Sequence, residues 1–75
     1  MKPAMTHAEQ RALIAFGWKL DGTTRMKRTI GDWHITIWTD GGFQLSYGNR
    51  HHWSQVDGGI LAAATAAEQA AKMGE

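Results

Sequence analysis

The clearest pattern in the chain is a period of two in its middle. Trp33, Ile35 and Ile37 alternate with His34, Thr36 and Trp38, and β-branched residues are frequent, as a half-buried strand requires. Asp40-Gly41-Gly42 follows, a turn sequence with easy access to positive φ. Beyond it Phe43, Leu45 and Tyr47 alternate with Gln44 and Ser46. The pattern predicts a hairpin of strands at 33–39 and 43–48. One of its faces carries Trp33, Ile35, Ile37, Phe43, Leu45 and Tyr47 and must meet other elements; the other carries His34, Thr36, Trp38, Gln44 and Ser46.

On either side the pattern changes. Thr6 and Glu9 have capping-box spacing, and the apolar stripe Met5, Ala12, Leu13, Phe16 follows helical spacing up to Gly17, a suitable left-handed stop. A helix is expected over 7–16. Trp18-Lys19-Leu20 and residues 24–30 read as a further strand or hairpin around Asp21-Gly22, with Gly31-Asp32 turning into the Trp33 strand. A short fifth strand has room around 52–56. Asp57 is expected to cap a last helix over 60–73, rich in alanine and halted by Gly74, with Ile60, Ala64, Ala67 and Ala71 as its smooth stripe. The expected architecture is α+β: an antiparallel sheet of three to four strands with an N-terminal and a C-terminal helix on one face, in the order α-β-β-β(-β)-α.

Composition narrows the picture. Seventy-five residues make a single domain, 1–75, near the lower limit for folding without staples, and the absence of cysteine removes disulfides and thiolate zinc sites. Much of the apolar fraction is alanine, so Trp18, Trp33, Trp38, Trp53, Phe16, Phe43 and Tyr47 are expected to dominate the packing. A homodimer would enlarge so small a core. The net charge of +1 excludes imitation of DNA by an acidic surface. Lys19, Arg25, Lys27 and Arg28 nevertheless face only Asp21 in sequence, whereas Asp57, Glu68 and Glu75 outnumber Lys72 toward the end. The first ten residues lack the apolar core of a signal peptide, and the nearly apolar run over 58–67 is too short to span a bilayer; with the lack of cysteine, this suits a cytoplasmic protein without membrane contact.

Catalytic chemistry finds no footing. Ser46 and Ser54 lie outside any nucleophile-elbow context. Asp32 and Asp40 flank one strand, ~25 Å apart at the usual rise, too far to act as a pair. Asp57-Gly58-Gly59 opens a helix, but Asp57 repels an anion there and no lysine follows. His51 and His52 are neighbours that an extended segment sends to opposite sides, so no metal is assigned. No cofactor is implied, and the chain is not read as an enzyme.

Binding chemistry does have candidates. Strand parity sends Trp38 to the polar face, where Arg25 and Lys27 join it; a tryptophan among cations stacks on a base or anchors an interface, or else covers sheet backbone. Arg50-His51-His52-Trp53 is the densest basic-aromatic cluster, either a contact loop or a segment whose Trp53 plugs the core. Arg25-Met26-Lys27-Arg28 is the best electrostatic footprint, worth two or three phosphate contacts. The expected contact set is Arg25, Lys27, Arg28, Trp38, Arg50, His52 and Trp53.

The α-β-β-β-α order resembles the double-stranded-RNA-binding domain, which contacts RNA through a lysine-rich start to its second helix. Here that helix opens Asp57-Gly58-Gly59-Ile60 and has no lysine before Lys72, so the family's contact residues do not carry over. In size, lack of cysteine, compact α+β organisation and lack of an active site, the chain resembles the small anti-CRISPR proteins of phages and prophages. That resemblance implies a non-enzymatic inhibitor in the host cytoplasm, which binds a CRISPR-Cas effector complex and blocks its engagement of target DNA. The alternative is a module that binds RNA or DNA directly through the same basic-aromatic residues.

Overall fold

A computed structural model describes residues 3–73. Helix α1 spans His7–Ala15 and begins with the expected reciprocal cap: the Glu9 amide donates to Thr6 Oγ1 at 3.1 Å, and the Thr6 amide donates to Glu9 Oε1 at 2.9 Å. Both bonds satisfy amides that a helix start leaves without partners. The helix stops one residue earlier than expected. Phe16 is its C-cap and Gly17 leaves it at φ +97°. Met5 and Leu13 are buried, but Phe16 is 67% exposed, because the chain has already turned away from the stripe at that point.

Five strands follow as an antiparallel meander with neighbour order β1-β2-β3-β4-β5: β1 Lys19–Leu20, β2 Arg25–Ile30, β3 Trp33–Trp38, β4 Gly42–Tyr47 and β5 Arg50–Gln55. Asp21-Gly22 and Gly31-Asp32 turn the chain where expected. Ile30 pairs with Trp33 across the second of these turns, and Tyr47 pairs with Arg50 across Gly48-Asn49. The fifth strand begins two residues before the anticipated 52–56 and is as long as its neighbour β4.

Helix α2 spans Gly59–Lys72, within one residue of expectation at each end. Its N-cap is Gly58 at φ +110°, with no side-chain cap, so Asp57 does not fill that role. The reversal from β5 into α2 passes through the left-handed region, which aspartate adopts poorly and glycine freely. The stop assigned to Gly74 lies outside the described residues.

The helices occupy one side of the sheet. α2 lies across β2, β3 and β4, while α1 packs against β1 and α2. The buried stripe of α2 is Ile60, Ala63, Ala64, Ala67 and Ala71, whose small side chains let its backbone sit close to the sheet. Bulk comes from the sheet, where Met26, Trp33, Ile35, Ile37, Phe43 and Leu45 face the helix, with Trp18 beside them. Each large aliphatic side chain enclosed there contributes about 1.5–3 kcal/mol. The aromatic residues divide rather than pack together. Trp18, Trp33 and Phe43 are core; Tyr47 tilts against Trp33 at 5.2 Å but stays 42% exposed, and Phe16 and Trp53 face solvent.

Candidate interaction face on the open side of the sheet

Helices on one side leave the other side of a five-stranded sheet bare. Strand register fixes what stands there. One ladder row runs Lys19, Lys27, Thr36, Gln44, Trp53; a second runs Thr29, His34, Ser46, His51; a third joins Arg25 to Trp38 and Gly42 to Gln55. At about 4.8 Å per strand the first row is ~19 Å long.

Two tryptophans therefore share this face, as strand parity predicts for Trp38. Trp53 is 63% exposed and does not plug the core. Trp38 is partly buried. Each ring approaches Gly42: a Cβ on that glycine would stand 3.7 Å from Trp38 Cε3 and 3.9 Å from Trp53 Cζ2. The indoles thus shield the backbone of β4 where it has no side chain of its own, so Trp38 has a covering role as well as a presented edge. Ser46 Oγ and His51 Nδ1 lie 3.0 Å apart further along the face.

The cations are arranged unevenly. Arg25 Nε lies 2.8 Å and Lys27 Nζ 3.3 Å from Asp21 Oδ2, and Arg25 Nε also donates to the Asp21 carbonyl oxygen at 3.2 Å. With side chains 49% and 58% exposed, both keep donors free for a partner. None of the five strands contains an aspartate or a glutamate. The carboxylates of the strand turns are Asp21 between β1 and β2, Asp32 between β2 and β3, and Asp40 between β3 and β4, where Asp40 Oδ1 accepts from the Gly42 amide at 3.0 Å.

Of the contact set expected from sequence, Arg25, Lys27, Trp38 and Trp53 come together here. Arg28, Arg50 and His52 do not. Arg28 shares the parity of Met26 and points to the helix side, where it pairs with Glu68 of α2 and lies 5.7 Å over the Trp18 ring. Its charge is engaged within the fold. Arg50 and His52 share the parity of Ser54 on the helix side of β5; His52 stands 6.4 Å from Phe43, beyond the cover of α2. The neighbours His51 and His52 do point apart, as an extended segment requires. Lys19 and His51 belong to the open face although sequence reasoning did not select them. The signal that would have found Lys19 is its position directly opposite Lys27.

Among the described residues, no group of three or more histidine, cysteine or acidic side chains is gathered as a metal site, and no helix is long and apolar enough to cross a membrane. No family profile, curated protein or solved structure matches the chain, so the roles of these residues rest on their geometry alone.

Proposed function

We propose that this chain is a non-catalytic binder of single-stranded nucleic acid, with the open sheet face as its platform. Trp53 and the free edge of Trp38 stack on bases, Arg25 and Lys27 take phosphates, and Gln44, Thr36 and His51 offer hydrogen bonds between them. One observation carries the reading: the bare face combines an exposed indole with cations, in a sheet whose strands contain no carboxylate. Single strands suit such a surface because every base, once unpaired, offers a π-face that can stack on an exposed indole. A row ~19 Å long accommodates two to three nucleotides, the number that four-stranded RNA-binding sheets stack.

The test is fluorescence anisotropy with labelled single-stranded RNA and DNA of about twelve nucleotides, within the site sizes typical of such platforms. Trp53→Ala is expected to weaken binding by about 1–3 kcal/mol. Its effect on folding is expected to stay within about 1 kcal/mol, the range for a cross-strand aromatic contact such as its cover of Gly42. No binding of either strand type at about 50 mM salt, where phosphate contacts are strong, sinks the proposal.

The net charge of +1 and the sharing of Asp21 by Arg25 and Lys27 favour a second reading. In it the same face docks on a protein of a host nucleoprotein complex, as the resemblance to anti-CRISPR inhibitors implies, with the tryptophans as anchors. Inhibition of a CRISPR-Cas effector without any shift of free oligonucleotide would transfer the face to that partner.

A further inference from the structure

Strand β1 has only two residues and pairs Lys19 with Lys27 and Leu20 with Met26. The second half of β2, from Arg28 to Ile30, therefore runs on without a partner on that side. A recess of about 390 Å³ opens there, with Gly17, Lys19, Lys27, Thr29, His34 and Thr36 in its lining. Among the described residues no carboxylate lines it. Arg28 forms part of the wall but is already held by Glu68.

The lysine pair is the unusual feature. Like charges directly opposite on neighbouring strands are destabilising, and sheets normally avoid them. Lys27 is relieved in part by Asp21, which it shares with Arg25. Among the described residues the side chains of Lys19 and His34 have no ion-pair or hydrogen-bond partner. Two lysines, two threonines and a histidine thus line one concavity whose described lining holds no carboxylate, and their side chains include the donor types that suit a tetrahedral oxyanion.

We propose that this recess is an anion subsite that seats one phosphodiester group of the bound strand. The inference rests on the nucleic-acid reading and gives it a direction. The phosphate is anchored at the β1–β2 edge, and the bases run along the row through Thr36 and Gln44 toward Trp53.

The test compares the wild-type chain with Lys19→Gln/Lys27→Gln and with the charge-matched control Arg11→Gln/Arg50→Gln, each checked for folding by circular dichroism. Inorganic phosphate is titrated while backbone amide resonances are followed, and oligonucleotide affinity is measured against salt. Phosphate is expected to shift the amides of residues 17, 19, 27, 29, 34 and 36 in the wild type and the control but not in the lysine variant. The salt slope for a single strand is about −0.7 per phosphate neutralised, so losing the one seated phosphate makes it shallower by about 0.7. Between about 50 and 200 mM salt the wild type then loses about 2.6-fold more affinity than the lysine variant. Phosphate shifts scattered over the surface, or equal slopes in the two double variants, overturn the subsite. If oligonucleotide binds with its slope unchanged by the lysine variant, the subsite falls while the platform stands. If no oligonucleotide binds but phosphate still maps to the recess, the subsite stands and the nucleic-acid reading falls.

Discussion

Gly41 is the position where a single methyl group is expected to do most damage. The turn from β3 to β4 closes through the Gly41 amide, which donates to the Trp38 carbonyl oxygen at 3.1 Å, and the Gly41 carbonyl oxygen accepts from the Val56 amide at 2.9 Å. Gly41 has φ +94°, and a Cβ there would stand 2.0 Å from the Val56 carbonyl oxygen. Two costs follow for Gly41→Ala. Holding an L-residue in the left-handed region costs about 1–2 kcal/mol. Clearing the overlap moves backbone by about 1 Å and opens the bond from the partly buried Val56 amide, and an amide left without its partner costs about 1–3 kcal/mol. The sum is about 2–5 kcal/mol, a large share of the 4–11 kcal/mol or so expected for a domain of this size. Since about 1 kcal/mol moves the melting point of a small domain by 4–8 °C, the midpoint should fall by at least ~8 °C and by ~20 °C or more toward the upper end. Gly48→Ala is the control: its φ is +57°, but nothing lies within 4 Å of the added methyl, so only the conformational cost remains. Thermal unfolding by circular dichroism and urea unfolding by tryptophan fluorescence measure both. If Gly41→Ala melts within a few degrees of Gly48→Ala, the close approach of the turn to residue 56 is wrong.

Glu68→Ala leaves Arg28 on the helix side without its main partner. An ion pair this partly buried should contribute about 1–2 kcal/mol, between the exposed and enclosed limits, and Arg28→Met/Glu68→Leu should recover most of it. A double-mutant cycle in urea with a coupling below ~0.5 kcal/mol would mean the pair adds nothing. Thr6→Ala removes one arm of the reciprocal cap and should cost about 1 kcal/mol, read as faster amide exchange confined to α1. Unchanged exchange in that helix would show the cap to be dispensable.

The candidate site illustrates how linear clusters mislead on a strand. Arg25-Met26-Lys27-Arg28 looks like one basic patch in sequence, but alternation divides it, sending Arg25 and Lys27 out and Met26 with Arg28 in. That division was legible once the segment was read as a strand. The fate of Arg50, His52 and Trp53 was less accessible. α2 covers β2 to β4 and leaves β5 largely wet on both faces. A strand with no buried face needs no apolar alternation, so nothing in Arg50-His51-His52-Trp53 announces its period.

Local chemistry was enough to specify the two helices, the central hairpin and most turns: caps, alternation and glycine act over a few residues, and each leaves its mark on composition. Which face the helices cover, how far β1 and β5 extend, and which charges find partners depend on segments tens of residues apart. Arg28 meeting Glu68, two indoles folding over Gly42, and Lys19 standing against Lys27 come from register and packing. Such contacts are chosen by the geometry of the whole sheet, which no short window of residues encodes.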